Sequence, residues 1–361
     1  MKKEFQFKNQ FKNWFCSIVG VMFLIVTAVF FPEKAFALDL GSVEIHGYGH
    51  QGFLLTDLDN ENKYLNADDK GTWRYNAMAI LFTAKPQDKT TVWMQLHGRT
   101  DIEVDWAYVD YEFSNSLTGR IGKAKLPWGV YNEVREVKFL QLSTIMPSMY
   151  HDAVKIVHES YYGASLNYSL DLGSGGEIVF DPIVGEIADY KEGQDNSGVT
   201  LGGRIRYNPP IEGLAVMATV SDSQDDMSME MLIASLDYVN YGFDIKSEYA
   251  AMMMEMETMG MTMSTDMFSY YVQAGYTFFS RLTPFVRYDY ITTDKDNENS
   301  PLYYQKSTTV GVGYKINHSM VVKAEVHIND GYALPVASKE VSTGMTNDNW
   351  NMYAASINFM F

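Results

Sequence analysis

Apolar side chains fall on every second residue in sixteen short segments of this chain, and few folds use so many strands with so little between them. The segments are 43–57, 74–84, 90–99, 104–113, 117–125, 161–170, 177–184, 200–208, 214–221, 231–239, 242–252, 268–279, 282–293, 307–316, 320–328 and 351–361. A period of two puts successive side chains on opposite faces of a strand. In the last segment Tyr353, Ala355, Ile357, Phe359 and Phe361 share one face, while Asn351, Ser356 and Asn358 lie opposite or at the rim. Val322, Ala324, Val326 and Ile328 likewise oppose Lys323, Glu325 and His327, and Ile205 and Tyr207 oppose Arg204 and Arg206.

The connections carry a second signal. Those after even-numbered segments are short: 86–89, 114–116, 171–176, 209–213, 240–241, 280–281 and 317–319. Those after odd-numbered segments are mostly long and acidic, as at 58–73, 185–198, 253–267, 294–306 and 329–350, with 100–103 the short one on that side. Tight turns at one rim and long loops at the other predict an all-β fold, a closed antiparallel up-and-down transmembrane β-barrel of 16 strands. Lipid cannot hydrogen-bond a free strand edge, so only closure satisfies such a sheet. Charge on the inner face of several strands implies a wet interior. The weakest segment is 177–184, and misreading it would change the count to fourteen or eighteen, since both termini must stay on one side.

The ends of the chain fit export. Lys2, Lys3, Lys8 and Lys12 precede an apolar run from Trp14 to Phe31, and Ala35-Phe36-Ala37 supplies a small-residue cleavage site. That order makes 1–37 a secretory signal peptide, an uncleaved signal anchor being the alternative, and leaves 38–361 as the mature outer-membrane barrel. The chain's single cysteine, Cys16, lies in the apolar run, so the exported part has no thiolate metal site, disulfide or cysteine nucleophile. No run of 18 apolar residues follows Leu38, so no transmembrane helix is expected there. Removing five Lys and two Glu with the leader leaves 23 basic against 43 acidic residues, a net of −20, which argues against nucleic acid as a partner.

One stretch breaks the rhythm. The alternating pair 107–113 and 117–125 runs into Leu126-Pro-Trp-Gly-Val-Tyr-Asn-Glu133, and no strand period follows until Tyr161. A hairpin feeding one long loop suits a segment that folds into a barrel and narrows it. With this block and a terminal aromatic strand ending in Phe361, the chain resembles Gram-negative outer-membrane porins, most of all the sixteen-stranded group that includes the phosphate-selective porins. The resemblance implies a homotrimer, a third external loop (126–159) folded into the lumen as the constriction, and insertion by the barrel-assembly machinery through the C-terminal strand. It departs from the phosphate-selective members, whose pores are lined with many basic residues, in being strongly acidic.

Within 118–159 the basic residues Arg120, Lys123, Lys125, Arg135, Lys138 and Lys155 face Glu133, Glu136, Asp152 and Glu159, a balance of +2. Acidic external loops around a mildly basic narrowing would bias which ions pass. Arg120, Lys123, Lys125, Glu133, Arg135, Glu136, Lys138, Asp152 and Lys155 are the expected pore constriction residues, with Arg204, Arg206 and Arg287 lumen-facing opposite them. The bland alternative is that these charges pair on a solvated loop. The expected function is a porin, a passive diffusion channel for small hydrophilic solutes or ions. Anion against cation preference stays open, because a basic narrowing and acidic mouths pull in opposite senses.

Other motifs point elsewhere. Acidic loops could hold divalent cations that bridge to outer-membrane lipid and lipopolysaccharide phosphates, although no ordered calcium-loop spacing occurs. Met252, Met253, Met254, Met256, Met259, Met261, Met263 and Met267 crowd the sixth external loop, with Met227, Met229 and Met231 near the fifth. Thioethers suit soft Cu(I)-like ions, against the plainer reading of a flexible apolar loop. Gly47-Tyr-Gly-His-Gln-Gly52 matches the dinucleotide glycine pattern but sits inside a strand segment, and His46 and His50 are about 13 Å apart on an extended chain, too far for one metal. Neither G-x-S-x-G nor H-E-x-x-H occurs, so no enzyme activity, cofactor or metal site is expected. The competing function is a surface-binding barrel, an adhesin, receptor or metal-binding Met-rich loop, without an open channel.

Overall fold

Sixteen antiparallel strands close on themselves in simple sequence order. The computed structural model describes residues 43–58, 63–99, 101–152, 154, 156–188, 198–224, 227–258, 261–334 and 348–361. The expected signal peptide, 1–37, lies outside the described residues. The strands are β1 (Val43–Thr56), β2 (Thr72–Gln87), β3 (Thr90–Gly98), β4 (Ile102–Ser114) and β5 (Leu117–Lys125). They continue as β6 (Ser160–Asp171), β7 (Glu177–Ile187), β8 (Val199–Asn208), β9 (Leu214–Gln224), β10 (Met227–Asn240) and β11 (Phe243–Thr258). The last are β12 (Met261–Tyr276), β13 (Leu282–Thr292), β14 (Tyr304–Asn317), β15 (Met320–Gly331) and β16 (Asn349–Met360). Each expected segment is a strand, including the weak one that becomes β7.

The seam pairs β1 with β16, Gly49 opposite Phe359 and Leu55 opposite Tyr353. Gly47 and Phe361 exchange both backbone hydrogen bonds, at 3.0 and 2.8 Å. The glycines that mimic a nucleotide motif are seam residues. A Cβ on Gly47 would fall within 2.6 Å of two atoms of the Phe361 ring, so the missing side chain makes room for the terminal aromatic. The short rim keeps the tight turns that the sequence implies. Between β10 and β11, Tyr241 and Gly242 both have positive φ, 50° and 85°, the backbone of a two-residue hairpin turn whose twist suits the flanking strands.

Two of the connections expected to be long and acidic are strand instead. β9 runs to Gln224 and β10 begins at Met227, while β11 reaches Thr258 and β12 begins at Met261. The Met-rich sixth loop is therefore a long hairpin. The reason lies in the sequence: methionines alternate with Ser, Glu and Thr at a period of two, and the cross-strand ladder outweighs their weak strand propensity.

The outer face is apolar, with Ile121, Leu201, Ile205, Val220, Val272, Val286, Val310 and Tyr353 exposed, as a lipid-facing wall requires. Inward positions of the wall carry buried polar groups, among them Glu248, Gln273, Arg287, Asp289, Lys323, Glu325 and Asn358. The interior is not uniformly polar. Nearer the long-loop rim the inward residues Leu54, Ile183, Ile233, Met252, Ile291, Trp350 and Met352 join one buried apolar cluster with residues of the 126–159 segment.

Beside that segment, Gly122, Gly163 and Gly185 are direct cross-strand partners on β5, β6 and β7. A Cβ on Gly163 would meet the Val184 carbonyl oxygen at 2.2 Å and Gly185 Cα at 2.6 Å, both backbone, so the strands would have to part. Gly163→Val is expected to lower the unfolding free energy by about 1–3 kcal/mol, as overpacking does. Urea unfolding of the refolded barrel, followed by gel mobility with and without heating, checks it.

Candidate functional site

Residues 126–159 have no strand period, and Pro127 and Pro147 interrupt any ladder; locally they form three single-turn 3-10 helices, Asn132–Val134, Lys138–Leu140 and Ser148–Tyr150. The neck is tied by backbone and by one amide. Leu126 N–H donates to the Glu159 carbonyl at 3.0 Å, and the Asn132 amide lies 2.9–3.0 Å from the carbonyls of Leu126, His158 and Glu159. Arg135 then spans the fold of the loop, donating to Asn132 Oδ1, to the Tyr150 carbonyl at 2.6 Å and to Asp152 at 3.1 Å.

Buried charges on the strands fasten the rest. Glu248 on β11 accepts from Tyr150 Oη, Tyr271 Oη, Ser235 Oγ and the Val130 backbone N–H, at 2.6 to 2.8 Å. Glu325 on β15 accepts from the Thr144 and Ile145 backbone N–H groups and from Ser143 Oγ. On β13, Arg287 donates to the Ile145 carbonyl and Asp289 accepts from Ser148 N–H. Lys323 caps the Lys138 and Gln141 carbonyls, both at 2.5 Å. Gln273 reaches Tyr131, Ser356 reaches Thr144, and Tyr75 donates to the Thr144 carbonyl. A buried carboxylate that receives several hydrogen bonds keeps its charge at a tolerable cost, whereas the same group without them does not.

The residues expected at a constriction fall into separate groups. Lys125 sits among Asp105 at 3.2 Å, Glu136 at 2.9 Å and Glu159. Those three carboxylates lie within 4.8 Å of one another, and the ammonium occupies the position a cation would take. Burial pushes Glu136 up to about 8 despite Lys125. Burial would raise Glu159 too, but Lys125 and Arg135 hold it below the usual carboxylate range. Lys138 is buried beside Gln141, and burial pulls its ammonium down to about 7.

A second group surrounds a polar cavity of about 110 Å³ lined by Asp110, Arg120, Glu133, Asp181 and Arg204. Arg120 forks onto Asp110 at 2.8 and 3.0 Å and lies 3.9 Å over the Tyr108 ring. Arg204 bridges Asp181 on β7 at 2.8 Å and Glu133 on the loop at 2.7 Å. Arg206, on the same face of β8, bonds Asn208 instead. Lys123 belongs to neither group. It shares the face of exposed Ile121, donates to the Val104 carbonyl and lies 5.7 Å over Tyr162. Lys155 lies outside the described residues. Glu248, Asp289, Asn132 and Tyr150 carry no local sequence mark of a site, and Lys323 and Glu325 carry only their inward parity.

No protein-family model matches the sequence, and no curated protein matches it either. Solved structures do. The anion-selective porin of Comamonas acidovorans superposes with a TM-score of 0.61 at 10% identity, covering 89% of this chain and 99% of that one. The fold is that of the sixteen-stranded outer-membrane porins. Salmonella typhi OmpF in complex with daunomycin gives 0.59 at 16% identity over 88% and 97% of the two chains. The trimer form of OmpT, an outer membrane protein of Vibrio cholerae, gives 0.59 at 12% over 88% and 99%. At such identities the superpositions show a shared fold alone.

Asn132→Ala strips an amide from three carbonyls and should cost about 1–3 kcal/mol, read as a lower urea midpoint. Lys138 adds a pH dependence. Its native pKa is depressed, so between about 7 and 10.5 the unfolded chain binds the proton that the native chain has lost, and stability rises with pH across that window. Lys138→Met should flatten this part of the profile, compared with the unmodified protein at pH 7 and pH 10.

Proposed function

We propose that this chain is an outer-membrane porin, a passive channel for small hydrophilic solutes and ions, with residues 126–159 as the constriction. The observation that carries this reading is the fastening of one 34-residue connection to inward-facing groups around the barrel wall, from Tyr75 on β2 through Arg204, Glu248 and Arg287 to Glu325 and Ser356. A loop so held fixes the width of a bore rather than flapping at its mouth. Polar groups of both signs, Arg120 and Arg204 with Asp110, Glu133 and Asp181, line the free space beside it, which suits hydrated solutes. Export with cleavage after Ala37, an outer-membrane location, insertion through the C-terminal strand and a homotrimer complete the reading. The trimer form of the Vibrio cholerae structure supports the last of these. No catalytic step belongs to this function.

A second reading is a binding barrel with a closed lumen. It is favoured by the packing of Trp128, Met149, Ile156 and Val157 from the loop against Ile233, Trp350 and other inward residues, all buried.

Planar bilayers separate the two. The channel reading expects steady ohmic currents from the purified protein, and a folded but silent barrel selects the binder. Glu325→Ala, which releases three loop contacts, should give larger and noisier currents. Arg204→Glu should move the reversal potential under a salt gradient toward cation preference; no movement would take Arg204 out of the conducting path.

A further inference from the structure

Half of the methionines of this chain, eleven of 22, fall between residues 227 and 267. The strand register sorts them. Met231, Met252 and Met267 are direct cross-strand partners on β10, β11 and β12, and the next rung toward the hairpin ends pairs Met229 with Met254 and Thr265. These five methionines share the inward face; Met229, Met231, Met252 and Met267 are buried and Met254 packs against the same cluster. Directly opposed residues have Cβ atoms about 4.5–5.5 Å apart, so flexible thioether arms from one rung can converge on a single ion.

Packing by itself does not call for sulfur on these rungs. Branched side chains suit a strand better, and the adjacent rung uses Ile233 and Ala250 for the same purpose. The neighbours across β9 are Ser221 and Ser223, so the two rungs present thioethers and hydroxyls with no carboxylate or imidazole among them. Hard divalent cations prefer charged oxygen ligands, whereas thioethers select soft ions. The sole cysteine, Cys16, lies far from this region of the sequence, so no thiolate competes within it.

We propose that the paired methionine rungs of β10–β12 form a binding site for a soft monovalent cation of the Cu(I) and Ag(I) class, independent of whether the barrel conducts. The test uses the purified barrel in detergent and Ag(I), stable in air, titrated calorimetrically in chloride-free buffer. Met231→Leu, Met252→Leu and Met267→Leu combined keep the apolar volume and remove the sulfur. The triple variant should lose Ag(I) affinity at least about tenfold, as loss of supporting groups does at metal sites. Met253→Leu, on the exposed outer face, should bind as the unmodified protein does. No Ag(I) uptake by the unmodified protein, or equal uptake by the folded triple variant, overturns the proposal. Should the triple variant not fold, X-ray absorption on the Ag(I)-loaded unmodified protein decides, a sulfur shell supporting the site and an oxygen or nitrogen shell refuting it.

Discussion

A strand edge in hydrocarbon has no water to bond, and the whole architecture follows from that. Closure between β1 and β16 is the remedy, and it explains features that would otherwise look incidental. The glycines of β1 accept the rings of Phe359 and Phe361, and the terminal residue is bonded on both sides of its peptide to Gly47. The outer face can then be apolar throughout, because its backbone is already satisfied. The inner face is released from that requirement and is free to carry charge.

What the inner face does with its charge is hold a loop. An irregular segment of 34 residues exposes many backbone donors and acceptors that no ladder satisfies. Acceptors on the wall, Glu248, Asp289 and Glu325, meet loop N–H groups, and donors, Lys323 and Arg287, meet loop carbonyls. The pairing is by polarity, donor to acceptor, so each side relieves the burial cost of the other. The apolar side chains of the loop meanwhile fill the space beside Ile233, Ile291 and Trp350. Loop and wall are one packed body at this level, with the arginines of β5 and β8 at its polar margin.

The strands were legible because a period of two survives in a single sequence, and the break after Lys125 marked the irregular segment. The Met-rich hairpin was not, since methionine and glutamate suggest a loop although Met227, Met229 and Met231 keep strand spacing. Nor were the loop anchors. Tyr150 and Glu248 are 98 residues apart, and Ser143 and Glu325 are 182 apart, so no local pattern links them. For Arg120 the sequence leaves pore charge and ion pair as alternatives and for Arg204 it gives only a lumen-facing side; each is held by a carboxylate whose position depends on register rather than on neighbouring sequence. Lys123 follows the alternation of Ile121 and lies on the outer face, whereas Lys125, of the same parity, sits at the strand end and turns inward.

The distribution of those anchors along the chain sets an order of assembly. Of the receptors that seat the segment leaving β5, Tyr75 on β2 precedes it, whereas those on β8, β11, β13, β15 and β16 come later in the polypeptide. Until the cylinder is nearly complete it must wait with Trp128, Met149 and Ile156 uncovered. Seating is thus coupled to closure: without β15 and β16 the strap would lose the Glu325, Lys323 and Ser356 contacts that hold residues 138–145, while its ties to β11 and β13 would have no closed wall around them.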